Sequence, residues 1–447
     1  MTSLGDHAVV IGGSIAGLIT ARALADYFNR ITLFERDEIE DRPTIHKSIP
    51  QGNHLHGLLQ GGQQVLSSFY PGFAEDLRQL GATRVTVGRD IVWYLPNGKA
   101  YNPSGSLREP FDSGLEAHCA SRGLIEFLIR RRTLAIPNIR FESRCTVRDL
   151  VYRNGRVRGV LCEDLRSYEA ELVVDASGRT SRSPRWLAAL GFSNPRETEI
   201  GLDTAYSTAN FRMPASYEGE PLIFITGPAP CFSRRGYVIT IEDGTLLVSL
   251  IGRFGDYAPT DKEGFLGFAK ELHSDFAARI IEGAEQLTRI AHHRFVSSVQ
   301  RHYELIAPFP EGFLVIGDAL CTFNPIYAQG MSAAARQAQL LHQLLSERAE
   351  QSSGLDRLAF PFFSKAANLN RTPWDLAAAF DFAFPQTRGE RPAALEERAR
   401  YFAALDKLQL EDLEVRRLVT EVYQLLRPLS ELQEEPLRSR ILAQFQT

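Results

Sequence analysis

The sequence predicts an α/β protein in which a Rossmann-like dinucleotide-binding domain is interrupted by an antiparallel β-rich domain and followed by helices. Three observations carry this. A strand, a glycine-rich turn, a helix and a second strand fill the first forty residues. A region of period-two alternation lies between residues 201 and 252, and a buried strand returns at 313–316, running into Gly-Asp and an Ala-rich helix.

In chain order, residues 8–11 read as a buried strand, 12–17 as the turn, 18–27 as an Ala/Leu-rich helix and 31–34 as a second strand ending at Glu35. The next segment spaces Leu58, Leu59, Val65, Leu66 and Phe69 as a helix does, and Pro71 and Gly72 stop it. From 82 to 101 the period is two, with a hairpin at Asn97 and Gly98. Helix returns at 121–132. Strands follow at 147–152 and 157–162, joined by an Asn154-Gly155 turn, and a short strand at 172–175 runs into Asp175-Ala176-Ser177-Gly178. Between 201 and 252 Ala205, Ser207, Ala209 and Phe211 share one face of a separate antiparallel layer. The late strand leads to a helix over 331–347, and from Pro361 onward the chain is helical, with breaks at 384–392 and Pro428. The expected division is a dinucleotide-binding domain from 1–75, 105–195 and 300–360, a β-rich substrate domain from 76–104 and 196–299, and a helical region over 361–447.

Composition narrows the function classes. The chain has 447 residues, 44% hydrophobic and 23% charged, with 50 basic against 54 acidic side chains and a net charge of −4. That balance argues against a nucleic-acid partner, which calls for excess Lys and Arg. Five cysteines, with no Cys-x-x-Cys spacing, argue against a disulfide framework or zinc, and no metal site is expected. There is no secretory leader pattern and no apolar run long enough to span a membrane, so the expected location is cytoplasmic.

The chemistry begins at the turn Gly12-Gly13-Ser14-Ile15-Ala16-Gly17. Against G-x-G-x-x-G it has glycine first and last and serine in the middle. The first glycine permits the tight turn, a small middle residue lets backbone amides approach a pyrophosphate, and the last lets helix and strand pack closely. Glu35, at the end of the second strand, stands where a carboxylate accepts from ribose hydroxyls. Arg36 beside it and Lys47 are grouped with this site, Lys47 to offset phosphate or ring charge. An acid at this place fits NAD or FAD better than NADP. The late segment favours FAD. Asp318 follows a buried strand, where a carboxylate can accept from a ribitol hydroxyl, and Gly330-Met331 opens a helix whose amides can hold negative charge on a flavin ring.

These segments resemble the FAD-dependent monooxygenases of the p-hydroxybenzoate hydroxylase type. Gly12, Ser14, Gly17 and Glu35 match the fingerprint, and Arg122 after Ser121 matches an arginine that contacts FAD. Asp175 and Gly178 match the middle motif, although Ala176 and Ser177 intervene where the hydroxylases have Asp-Gly together. Gly317, Asp318, Pro325 and Gly330 match the late one. "HKSIPQGNHLHGLL", "DASGRTSR", "FLVIGDALCTFNPIYAQGMSAAARQA" and "PWDLAAAFDFAFP" look like the branch that contains the actinobacterial polyether epoxidases, a likeness extending over residues 8–395. The resemblance implies a glutathione-reductase-type FAD domain. It also implies that reduced FAD activates O₂ as the C4a-hydroperoxide, which delivers one oxygen, by epoxidation or hydroxylation, to an apolar secondary metabolite. A single fingerprint leaves the electron source as NADPH or NADH visiting transiently, or a separate flavin reductase.

Other residues carry weaker readings. His54 and His56 either donate to flavin or order the following helix. Cys321 reads as a small buried hydrophobe, and adjacent His292 and His293 diverge too far for a metal. Phe323, Tyr327, Phe380, Phe382 and Phe384 line a substrate cavity or fill core. Leucines over 395–426 form an amphipathic cap or a dimer surface, leaving monomer or homodimer open. The rival readings are a flavin reductase of the geranylgeranyl-reductase type, a flavin halogenase, which isolated Trp93, Trp186 and Trp374 disfavour, and a non-catalytic flavin sensor.

Overall fold

A computed structural model describes residues 3–46, 49–105 and 107–444. Its first layer is a five-stranded parallel sheet in the order Phe313–Val315, Leu172–Asp175, Gly5–Ile11, Phe28–Phe34, Ile139–Glu142. Strands far apart in sequence can neighbour one another because each is an uninterrupted apolar run buried on both faces, as parallel strands are. Ala8, Val9 and Val10 are fully buried, and so are Leu18 and Ile19 of the helix Ile15–Leu24 that covers them. The helix Gly330–Gln351 packs against that helix and against Gln60–Phe69.

The first helix departs from expectation: it spans Ile15–Leu24 rather than 18–27. The last three residues of the fingerprint are already helical, because Ser14 takes extended backbone at the N-cap and Gly17 has no Cβ to hold the first turn away from Gly12. Ala25 caps the other end, and its N–H reaches the carbonyls of Ala21 and Arg22.

The second layer is an eight-stranded sheet in the order Cys321–Thr322, Ala291–His302, Arg196–Arg212, Thr245–Arg253, Arg235–Ile241, Leu222–Ile225, Ile91–Leu95, Gly98–Ala100. Its pairings are antiparallel except that Leu222–Ile225 runs parallel to Ile91–Leu95. Period-two alternation ordinarily marks one wet face. Here Thr245–Arg253 is buried at every position. Helices Lys262–Lys270 and Phe276–Gly283 cover Val238, Val248 and Leu250 on one face. The other face packs Tyr206, Tyr237, Ile251 and Phe295 against Leu55, Ile326 and Phe382, which come from the cofactor half and the cap. Alternation therefore separates two different dry partners rather than core from solvent. Two pairings were not foreseen: Cys321–Thr322 forms an edge strand of this sheet, and Thr83–Thr86 leaves it to pair with Glu116–Cys119.

The helix Ala359–Asp381 carries the chain across to the cap, where Leu395–Glu411, Leu413–Tyr423 and Leu437–Ala443 bury Leu405, Leu408, Val419, Val422 and Ile441 among themselves. The amphipathic face of 395–426 is thus covered by its own chain. No helix among the described residues is long and apolar enough to cross a membrane.

Candidate functional site

The glycine turn is built by close backbone approach. A Cβ on Gly17 would stand 1.7 Å from the Gly12 carbonyl oxygen, and one on Gly12, whose φ is +104°, would stand 2.6 Å from the Ala176 oxygen. Gly13 N–H donates to Glu35 Oε2 at 2.8 Å, and Asp37 N–H donates to Oε1 at 2.8 Å, so Glu35 is buried and oriented by backbone at the end of its strand. Ile15 is buried and Ala16 half-buried. The N-terminus of the Ile15–Leu24 helix has no side-chain cap, which leaves its amides for an anion. Arg36 is exposed. Lys47 lies outside the described residues.

Arg122 is held where the fingerprint needs a cation. Ser121 caps its helix, accepting from Leu124 N–H at 3.1 Å, and Arg122 Nη2 donates to Ser14 Oγ and to Glu126 Oε2, each at 2.8 Å. Ser14 Oγ also donates to Glu126 Oε2 at 2.7 Å. Burial opposes ionisation of Glu126, yet Arg122 and His46, which contacts its other oxygen, bring its pKa down to about 2. Glu126 and His46 were missed in the sequence. Glu126 was readable, since it lies four residues after Arg122 and therefore on the same helix face.

The middle and late motifs close on this turn. Asp175 is fully buried and holds its own loop, accepting from Ser177 N–H at 2.9 Å, from Ser181 Oγ at 2.5 Å and from Ser183 Oγ. Gly178, at φ +81°, faces open space. A Cβ on Gly317 would meet Ala16 Cβ at 2.8 Å, so only glycine lets the late strand end sit on the fingerprint helix. Burial pushes the Asp318 carboxyl up, against the pull of Arg122, Arg179 and Arg301. Pro325 opens a single 3₁₀ turn, Pro325–Tyr327, and the next helix starts at Gly330, followed by buried Met331. That helix end has no side-chain cap, Gln329 Oε1 is buried without a partner among the described residues, and a Cβ on Gly330 would meet only Asp318 Oδ1, at 3.9 Å. Two bare helix N-termini, a buried acid at the second strand and an orphaned amide oxygen fit the pyrophosphate, ribose and ring of FAD.

His54 and His56 come from the loop between this cradle and the large sheet. His54 Nδ1 is 2.7 Å from Thr208 Oγ1, which is 2.7 Å from Ser249 Oγ, and its ring lies 5.9 Å from that of His293. Burial, then the imidazoles of His293 and His56, push its pKa down to about 3; burial and then Arg122 push His56 down to about 4. Both are neutral near pH 7. The unfolded chain takes up a proton at each near 6.5, which the folded protein refuses until far lower pH, so stability falls as pH drops from 6.5 toward 3. His54→Gln is expected to flatten that decline by about 1 kcal/mol at pH 5.5, read as urea midpoints at pH 5.5 and 7.5. An unchanged slope would place the titration elsewhere.

Of the remaining candidates, Cys321 is buried in the edge strand and its thiol is pushed up by burial. His292 Nδ1 is 3.2 Å from Ser207 Oγ. Tyr327 and Phe380 lie with ring centroids 5.8 Å apart, Phe380 partly exposed, and Phe323, Phe382 and Phe384 are buried. Asp381, which no local pattern in the sequence singles out, is fully buried beneath the sheet. It accepts from Arg253 Nη1 at 3.1 Å, from Asn324 Nδ2 at 3.0 and 3.1 Å, and from Tyr327 Oη at 2.7 Å. This one carboxylate joins the sheet, the late motif and the cap.

No protein-family model matches the chain. It is 32% identical over 405 residues to Protein Rv3254 of Mycobacterium tuberculosis, covering 87% of this chain and 84% of that protein. It is 25% identical over 366 residues to the FAD-dependent monooxygenase cdmI of Talaromyces verruculosus (76% and 68% covered), and 22% identical over 358 residues to squalene epoxidase 1 of Arabidopsis thaliana (77% and 60%). Among solved structures, the flavin-dependent brominase Bmp2 superposes with TM-score 0.68 at 15% identity, covering 99% of both chains. The 2-methyl-3-hydroxypyridine-5-carboxylic acid oxygenase superposes with TM-score 0.63 at 18% identity, covering 85% and 91%. At such identities these structures establish the shared fold. With that fold, these relatives and a cradle that fits FAD, the chain belongs to the FAD-dependent monooxygenases of the p-hydroxybenzoate hydroxylase type.

Proposed function

We propose that this monooxygenase inserts one atom of O₂ into a largely apolar small molecule, of the secondary-metabolite kind, by epoxidation or hydroxylation. The observation that carries the proposal is the apolar wall of Tyr206, Tyr237, Ile251 and Phe295, which meets Leu55 and Ile326 beside the cradle and Phe382 of the cap. Such a wall excludes water from a reactive oxygen donor. Epoxidation draws support from the squalene epoxidase likeness, which spans 60% of that relative.

FAD bound in the cradle would supply the redox chemistry, taking up electrons and activating O₂. The protein's own groups do the rest. The amides at Ile15 and Arg122 hold the pyrophosphate, Glu35 and Asp318 accept from ribose and ribitol hydroxyls, and the amides at Gly330 and Met331 hold negative charge on the ring. His54 and His56, neutral near pH 7, present uncharged donors beside it. Electrons come from NADPH or NADH, or from a separate reductase. The same reading assigns 1–75, 105–195 and 300–360 to the cofactor, 76–104 and 196–299 to the substrate, and 361–447 to the helical region.

The test is incubation of the flavoprotein with NADPH, labelled O₂ and candidate polyenes. One labelled oxygen per product is the expected result. Loss of a double bond without label would replace the proposal with a reductase.

A further inference from the structure

A small antiparallel sheet, Val147–Arg153, Arg156–Cys162 and Ser167–Glu169, packs against the parallel sheet and holds two thiols that no step of the oxygenation uses. Cys162 stands opposite Val147 in its ladder, and Cys145 comes two residues before Val147. Their Sγ atoms lie 3.1 Å apart in a thiol–thiol hydrogen bond. Both residues are buried, Cys145 at 4% and Cys162 at 0% exposure, and both are free thiols.

Cys145 ties this sheet to the acid of the fingerprint. Its N–H donates to the Glu35 carbonyl at 2.8 Å, and Arg144 N–H donates to the Asp37 carbonyl at 3.2 Å. On the other side, Glu163 N–H donates to the Thr146 carbonyl at 2.9 Å. The cover over the pair is thin. Ser143 and Arg144 before Cys145 are exposed, and so is the turn 163–166 after Cys162. Exposed loop tips of this kind open locally at small cost, which admits a small oxidant. The two sulfurs differ in their surroundings. Arg166 Nη2 stands 3.9 Å from Cys145 Sγ, and a guanidinium beside a sulfur stabilises the negative charge it carries when it attacks. Burial, and after it the hydrogen bond with Cys145, pushes the Cys162 thiol up to about 12, so Cys162 keeps its proton until it is needed.

We propose that Cys145 and Cys162 are a peroxide-sensitive redox pair, oxidised to a disulfide that clamps the small sheet to the strand end carrying Glu35. The oxidant is hydrogen peroxide, the two-electron reduction product of the O₂ that this enzyme class consumes. Cys145 attacks it as the thiolate: an S–O bond forms, the O–O bond breaks, and the departing hydroxide takes up the proton that Cys145 gave up, leaving a sulfenic acid and water. Cys162 then attacks that sulfur: the S–S bond forms, the S–O bond breaks, and the Cys162 proton leaves with the hydroxyl as a second water. The thiols lose two electrons and the peroxide gains them. From the observed contact, closure to a disulfide moves the sulfurs together by only about 1 Å.

The test uses the FAD holoenzyme of the Cys231→Ser chain, which removes the exposed thiol, treated with hydrogen peroxide and then with dithiothreitol. A peptide map is expected to link Cys145 to Cys162 with a mass loss of about 2 Da. FAD release on dilution, followed by flavin fluorescence, should slow about threefold, and dithiothreitol should reverse both changes. In Cys162→Ala, dimedone should trap the Cys145 sulfenic acid, no link should form, and the release rate should ignore peroxide. Peroxide that leaves both residues as thiols, or carries Cys145 to a sulfinic acid without a link, would overturn the pair. A release rate unchanged by a fully formed link would overturn the clamp. Should Cys162→Ala fail to fold, the map and the release rate of the Cys231→Ser chain still decide both.

Discussion

Gly17→Ala is expected to give a colourless protein. A single methyl at this position would stand 1.7 Å from the Gly12 carbonyl oxygen and 3.3 Å from Leu33 Cδ1, and the first of these neighbours is backbone inside the glycine turn. The helix Ile15–Leu24 must then lift away from the parallel sheet, which carries its amide-bearing end away from the pyrophosphate position. Forced overpacking of backbone against backbone costs roughly 3 kcal/mol or more. FAD affinity is expected to fall by about two orders of magnitude or more, since both the turn and the dipole are displaced. The measurement is FAD titration by fluorescence quenching, with circular dichroism to confirm that the rest of the chain stays folded. Gly178→Ala supplies the contrast: its φ of +81° strains a side chain, but no atom lies within 4 Å of the added Cβ. Full flavin content in Gly17→Ala would mean that the cradle is elsewhere.

Asp381→Ala is expected to destabilise the protein by about 3–5 kcal/mol, the usual result of leaving one member of a buried ion pair without the other. Both side chains of the Arg253–Asp381 pair are 0% exposed, so water cannot replace the lost carboxylate. Asn324 and Tyr327 lose their acceptor in the same step, which loosens the late motif as well as the cap. The double replacement Arg253→Met, Asp381→Leu removes charge and counter-charge together and should recover much of the loss, because apolar replacements of buried pairs are often neutral. Urea unfolding of the three forms measures both effects. A cost below about 1 kcal/mol in the single variant would show that the pair behaves as a solvated surface contact.

The cofactor half was legible because its signals are local. A strand, a turn with glycine at positions 12 and 17, and an acid at 35 lie within one stretch of chain, and the Glu35 carboxylate accepts from Gly13 N–H inside that stretch. The late Gly317-Asp318 and the helix beginning at Gly330 were legible for the same reason. Less legible was the start of the first helix, where propensity favoured residue 18 and the close approach of Gly17 to Gly12 set it at Ile15. Period-two alternation over 201–252 shows which residues share a face but not what covers it, and Thr245–Arg253 is buried throughout because what covers each face comes from segments far away in the chain.

By itself, then, the sequence determined the α/β class, the placement of the fingerprint and its acid, and the family likeness, all of which depend on spacing along the chain. Tertiary structure decided what Glu126, Asp381 and Arg253 do. Glu126 becomes an anchor through Ser14 and His46, more than a hundred and about eighty residues away from it, and Asp381 becomes a clasp through Arg253 and Asn324. A buried charge takes its meaning from the partners that folding brings within hydrogen-bond reach, and no local pattern encodes those.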